Sequence, residues 1–200
     1  MEQTISYEIE NRLYLSITDR CTLECEFCPK TQGTLQVHEY DLTIHQRAEV
    51  KEIIDSIKKS PADYDEVVFC GYGEPTMRLK VVLEVAEYIK KKGGRVRLNT
   101  DGLGNLSNKK NVLPLMLGKI DALSVSMNAQ NEDVYNLHCQ PQLKGSFQAM
   151  LDFLKAAPEY IDDVTATAID GLEGVDVVAC EQIASDYGVK FRRRMLDIVG

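Results

Sequence analysis

Cys21, Cys25 and Cys28 lie in the stretch CTLECEFC, spaced C-x-x-x-C-x-x-C just after a hydrophobic, strand-like run. Three thiolates in one short loop can hold three corners of an iron–sulfur cube. The fourth iron then has no protein ligand and is open to a small molecule, whereas proteins whose clusters only carry electrons usually supply four cysteines. Zinc is the rival occupant, with His38 as a candidate fourth ligand. Structural zinc usually pairs two short ligand knuckles, and no second knuckle is present. Cys70, in an apolar strand-like run, and Cys180, on the apolar face of a helix, read as small hydrophobes. Cys139, in HCQP, reads as a loop residue after a helix. His45 and His138 read as members of partly exposed helix faces.

The elements that must position these cysteines alternate regularly. The run from Ile5 to Ile9 and the run from Arg12 to Ile17 read as strands joined by a turn at Glu10-Asn11. Thr43 and Gln46 have capping-box spacing. The helix they would open carries Val50, Ile53, Ile54 and Ile57 on one face. Further strands are expected at EVVFCG from Glu66, VRLN from Val96, ALSVSM from Ala122, VTATAI from Val164 and VKFRRRML from Val189. Helical faces fall between them at Val82/Val85/Ala86/Ile89, Phe147/Met150/Leu151/Leu154 and Cys180/Ile183/Ala184/Tyr187. A further helix is expected over residues 108–117, with Pro114 as a break or kink. Strands alternating with helices predict a parallel sheet. A closed barrel of this type has eight strands and about 250 residues. At 200 residues, the expectation is an α/β partial, open TIM-type barrel of about six parallel strands with helices outside.

Polar residues and glycines follow the strands. The cysteine loop ends the first core strand, Gly71-Tyr72-Gly73-Glu74-Pro75 the second and Asn99-Thr100-Asp101-Gly102 the third. Ser126-Met127-Asn128 ends the fourth, and Asp170-Gly171 the fifth. These endings all fall at the carboxyl rim of a parallel sheet, where ligand sites form. Taken singly, the glycines and Asp101-Gly102 also suit plain turns. Ser124, Ser126 and Asn128 share a strand face by period two. Arg192 and Arg194 share a face of the last strand. Turned inward they suit an anionic group; turned outward they blunt a sheet edge.

Composition limits the function classes. The chain reads as one domain over residues 1–200. Its net charge of -8 argues against a nucleic-acid partner, which calls for a surplus of Lys and Arg. The basic runs at Lys90 to Lys92 and Arg192 to Arg194 are local exceptions. No apolar run approaches membrane-spanning length, and MEQTISYEIENR lacks a secretory pattern. A cytoplasmic, membrane-free protein is expected, a setting in which cysteines serve as metal ligands or catalytic groups more often than in disulfides.

CTLECEFC, with Phe27 beside its last cysteine, resembles the cluster loop of the radical SAM superfamily. GYGEPT resembles that superfamily's Gly-Gly-Glu motif, which binds the amino end of S-adenosylmethionine. Tyr72 stands where the first glycine of the pair usually is, which leaves Gly73, Glu74 and Pro75 as matched positions. LNTDGLGNL and SVSMNA are similar to the endings that hold ribose and methionine carboxylate. The likeness runs from Leu13 to about Asp170 and is strongest to the small TatD-associated radical SAM proteins; shorter stretches resemble activating enzymes of glycyl-radical proteins.

The resemblance implies a four-iron four-sulfur cluster on Cys21, Cys25 and Cys28, with S-adenosylmethionine on the open iron. Reductive cleavage would give a 5′-deoxyadenosyl radical that abstracts hydrogen from a substrate. Phe27, Gly73, Glu74, Pro75, Asn99, Asp101, Ser124, Ser126 and Asn128 are the implied cofactor-binding residues. No acid or base is implied, because hydrogen abstraction by a carbon radical needs none. The implied partners are an electron donor such as flavodoxin or ferredoxin and a substrate, small molecule or protein. The chain end at Gly200 is expected to leave the barrel mouth broad, with 32–42 as an ordered loop beside it. An iron–sulfur redox sensor or electron carrier, or a structural zinc protein, is the non-catalytic alternative.

Overall fold

The structure, a computed structural model, describes residues 3–196. The expected chain end at Gly200 lies outside them. Strands β1 (Ser6–Ile9) and β2 (Arg12–Leu15) form the expected hairpin, with Ile9 opposite Arg12 and Glu10 at φ 54° in the turn. The cysteine loop follows. The expected ordered loop at 32–42 contains a small hairpin, β3 (Gln36–Val37) and β4 (Tyr40–Asp41). Val37, Tyr40 and Leu42 pack against Tyr7 and Tyr14 of the β1–β2 hairpin.

The rest alternates as expected: α1 (Val50–Asp55), β5 (Glu66–Phe69), α2 (Leu79–Lys91), β6 (Val96–Thr100), α3 (Gly104–Asn108), α4 (Leu113–Met116), β7 (Ala122–Ser126), α5 (Glu132–Cys139), α6 (Ser146–Ala156), β8 (Asp163–Asp170), α7 (Val177–Asp186) and β9 (Lys190–Met195). The sheet order is β1-β2-β5-β6-β7-β8-β9. Six strands, β2 to β9, run parallel, and β1 adds an antiparallel edge. The two end strands do not pair, so the barrel is open.

Period two and the register sort each strand's residues between two faces. The outer face carries Leu13, Leu15, Val67, Phe69, Leu98, Val125 and Ala166, all buried. It packs against the apolar stripes of the helices: Val82, Val85 and Ile89 of α2, Phe153 of α6 and Cys180 of α7. At ~1.5–3 kcal/mol for each large side chain removed from water, this layer supplies most of the driving force. The concave face is polar: Arg12 and Tyr14 of β2, Glu66 of β5, Arg97 and Asn99 of β6, Ser124 and Ser126 of β7, Thr165 and Thr167 of β8, Arg192 and Arg194 of β9.

Four local expectations are corrected. Thr43 and Gln46 do not cap α1. Thr43 instead bonds Asp41, and the capping box is formed by Glu49 and Glu52, the pair adjoining the first helical turn. Residues 108–117 are not one helix. α3 closes on Lys109 in the left-handed region, and α4 opens with Pro114 in its first turn, where proline's missing N–H costs nothing. His45 lies in a bend before α1. Cys139 is the buried last residue of α5 rather than a loop residue.

Candidate active site

The cysteine loop is held from a distant part of the chain. Glu24 N–H donates to Cys139 C=O (3.1 Å), Glu26 N–H to His138 C=O (3.0 Å) and Gln142 N–H to Thr22 C=O (3.0 Å). Leu23 bridges to Pro141. The end of α5 thus acts as a short strand beside the loop. His138, expected on a partly exposed face, is only 3% exposed. Its Nδ1 lies against the Glu26 carboxylate and its Nε2 is 2.6 Å from Glu173 C=O. The ring thus ties the cysteine loop to the loop after β8. Nothing local in HCQP signals this clamp, because its partner lies 112 residues earlier.

Cys21, Cys25 and Cys28 are free and half-buried. Burial, then the nearby Asp101 carboxyl, pushes the Cys21 thiol up to about 12. Cys25 is raised further, first by its hydrogen bond to Cys139, and Cys139 is lowered by the same bond. A metal that takes these sulfurs must displace their protons. Among the described residues no three His, Cys, Asp or Glu side chains are gathered tightly enough for a single ion. The separated corners of a cube ask for a wider triangle than one zinc does. His38 sits exposed in the β3–β4 turn at φ 50°. Phe27 is half-buried against the main core.

The GYGEP ending docks directly on this loop. A Cβ at Gly73 would lie 2.4 Å from Thr18 C=O and 2.7 Å from Arg20 C=O, and Glu74 N–H donates to Arg20 C=O at 2.7 Å. Gly73 is thus required by the close approach of backbone to backbone. The Glu74 side chain also turns inward. Only 3% exposed, it accepts from Thr76 N–H (2.8 Å), Thr100 O–H (2.9 Å) and Asp101 N–H (2.7 Å). Asp101 accepts from Leu103 N–H and Thr22 O–H. Burial, then Glu74, holds the Asp101 carboxyl well above its ordinary range. These two carboxylates brace the loop through Thr22, and their side chains are not free for a cofactor. Pro75 is buried at the start of a short 3-10 turn.

Asn99 and Ser124 are register partners on the concave face. Asn99 Oδ1 is buried with no hydrogen-bond partner, as is Ser16 Oγ. Ser126 is half-buried at the rim. Asn128 does not share their face. It leaves the strand at φ 63° and its Nδ2 lies 3.5 Å from Cys139 Sγ, behind the cysteine loop. The carbonyls of Tyr72 and Gly73 accept no hydrogen bond from the described residues. A ligand amino group needs acceptors, and a hydroxyl needs an acceptor such as Asn99 Oδ1, so the residues fit a polar cofactor beside the cysteine loop.

The family model described as Radical SAM superfamily matches residues 15–186. The chain is 27% identical over 172 residues to the dual-specificity RNA methyltransferase RlmN of Buchnera aphidicola, covering 80% of this chain and 44% of that protein. It is 26% identical over 191 residues to the GTP 3',8-cyclase of Streptomyces coelicolor, covering 92% and 52%. The chain thus spans about half the length of these curated relatives. Among solved structures, TYW1 with a lysine-pyruvate adduct bound superposes with a TM-score of 0.66 at 15% identity, over 94% of this chain and 66% of that one. SuiB of Streptococcus suis bound to S-adenosylmethionine also gives 0.66, at 10% identity, over 93% and 38%. At these identities the superpositions speak for the fold.

Proposed function

Because the chain belongs to the radical SAM superfamily, we propose that it is a radical SAM enzyme whose Cys21, Cys25 and Cys28 hold a four-iron four-sulfur cluster. Bound there and reduced, the cluster would supply the electron that splits S-adenosylmethionine into methionine and a 5′-deoxyadenosyl radical able to take hydrogen from a substrate. The protein's share is position and exclusion of water. The carbonyls of Tyr72 and Gly73 accept from the cofactor's amino group. Asn99, Ser124 and Ser126 bond its ribose or carboxylate, and Phe27 screens the loop. Glu74, Asp101 and Asn128 position these groups from behind.

The observation that carries this reading is the orphaned Asn99 Oδ1 on the concave face, below strand endings that also bear three free thiols and two carbonyls, of Tyr72 and Gly73, that accept no hydrogen bond from the described residues. The finer placement among TatD-associated proteins rests on GYGEP, NTDGLGNL and SVSMNA. A cytoplasmic setting, a flavodoxin or ferredoxin donor and a small-molecule or protein substrate without nucleic acid complete the proposal.

The test is anaerobic reconstitution with iron and sulfide, then reduction with S-adenosylmethionine present. Formation of 5′-deoxyadenosine is expected. No product from a protein that has taken up four irons would sink the proposal.

One observation favours a second reading. The Cys139 sulfur beside Cys25 is a fourth thiol, as an electron carrier would have. Cys139→Ser separates the two: a carrier loses its cluster, whereas the enzyme keeps it.

A further inference from the structure

The concave face is cationic in an acidic protein. Six basic residues stand on it or at its lower edge, Arg12, Arg95, Arg97, Lys190, Arg192 and Arg194, against the acids Glu66 and Asp163. Arg12, Arg95 and Arg97 share Glu66, and Arg95 and Lys190 share Asp163. Arg192 and Arg194 have no acidic partner among the described residues. Register nonetheless sets both on the concave face, Arg192 beside Thr167 and Arg194 beside Ile169, with Arg192 exposed and Arg194 half-buried. Arg194, Arg97 and Arg192, in that order, all act on the Cys70 thiol across the sheet at the end of β5. A cavity of about 70 Å³ beside Arg192 is lined by Arg97, Ser124, Asp163, Thr165 and Arg192, with Arg194 outside it, one step further along the same strand face. Asp163, its one acid, is already neutralised. The neighbouring Arg193 faces the other way and pairs with Asp170, so the alternation along β9 separates one paired guanidinium from two unpaired ones.

Like charges gathered in a cleft are costly unless something offsets them, and low-dielectric walls focus their field on whatever enters. Burial, then Arg194 and Arg97, pulls Arg192 below its ordinary value. The geometry points to an oxyanion subsite: Arg192, with Ser124 and Thr165 in the same cavity and Arg194 next along the strand face, holds a carboxylate or phosphate group of the substrate. This deepens the proposed function and rests on it. The cavity takes such a group alone, so the rest of the substrate extends over the sheet toward Asn99 and the cysteine loop. Planar guanidinium forks suit both oxyanions.

The test is calorimetric titration of the reconstituted holoprotein with pyrophosphate and, separately, succinate. Arg192→Gln, Arg194→Gln and, as a control on the opposite face, Arg193→Gln are compared with the wild type, with circular dichroism to verify folding. Saturable binding of at least one probe is expected, weakened about ten-fold or more by each of the first two substitutions, in line with the loss of a bidentate charge-assisted contact. Arg193→Gln should bind as the wild type does. Whichever probe binds identifies the oxyanion. No saturable binding, or equal loss in all three variants, overturns the subsite. Parallel loss of S-adenosylmethionine affinity in Arg192→Gln and Arg194→Gln overturns it too, since the arginines would then serve the cofactor. If anion binding behaves as expected but the wild type forms no 5′-deoxyadenosine, the subsite stands and the radical reading fails.

Discussion

The two ends of the parallel sheet handle charge in opposite ways. Around β2, β5 and β6 the polar groups close on one another: Glu74 accepts from Thr76, Thr100 and Asp101, and Asp101 from Thr22. Around β9, Arg192 and Arg194 share a face with no acid paired to them among the described residues. A closed network fixes geometry, and here it fixes the cysteine loop. An unclosed one leaves charge for a ligand. The concave side of the sheet thus has a rigid part suited to a resident cofactor and an unsatisfied part suited to a molecule that comes and goes.

The strongest way to break this contrast is at the loop itself. Cys21→Ala, Cys25→Ala or Cys28→Ala should each reduce reconstituted iron to a small fraction and take S-adenosylmethionine cleavage below detection. Retention of a full cluster by any one of them removes that sulfur from the ligand set.

Next comes the closed network. Glu74→Ala strands three buried donors, each worth about 1–3 kcal/mol when left unmade. We expect a loss of at least about 3 kcal/mol in urea denaturation, with Glu74→Gln recovering roughly half. A loss within error of a surface substitution would mean that water replaces the carboxylate and the network is not closed.

Asp101 gives the network a pH signature. Its folded value is raised by burial and by Glu74, so folding favours the protonated form. That stability is fully present below the unfolded carboxyl value of about 3.9 and is lost as pH rises through the folded value. Relative to Asp101→Asn, the wild type should lose stability steadily as the pH rises above about 4. Parallel curves for the two proteins would show that Asp101 is not strained by burial.

Smaller effects sharpen the picture at its margins. His138→Ala should quicken cluster loss under chelation a few-fold without preventing assembly, because the backbone bonds to Cys139 and His138 remain. Tyr72→Phe removes only the bond to Gln36 C=O at 2.6 Å. It should cost ~1 kcal/mol or less, read as faster proteolysis of the β3–β4 hairpin.

What the sequence showed of this molecule follows the range of its interactions. The parallel strands and their helices are written in local periodicity, and the cysteine loop in local spacing. The capping box at Glu49 was obscured by a second match at Thr43, because the motif is short. Glu74 and Asp101 look like ligand-binding residues at a rim. Only the fold shows that each faces the other, since one-dimensional spacing carries no direction across the sheet. Likewise Asn128 follows Ser126 by period two, but the strand ends between them and the chain turns away. The α5 clamp had no local signal at all.

That clamp has a consequence for the order of events. The loop's partners lie 112 to 120 residues downstream, and closing so long a span costs about 4 kcal/mol of chain entropy. A ribosome that has made the cysteines has yet to make the helix end that holds them. The thiols therefore emerge unrestrained and become organised only after more than half the chain has been synthesised. Cluster insertion belongs to a late stage of biogenesis, and slow synthesis between β2 and α5 lengthens the window in which the thiols are open to oxidation.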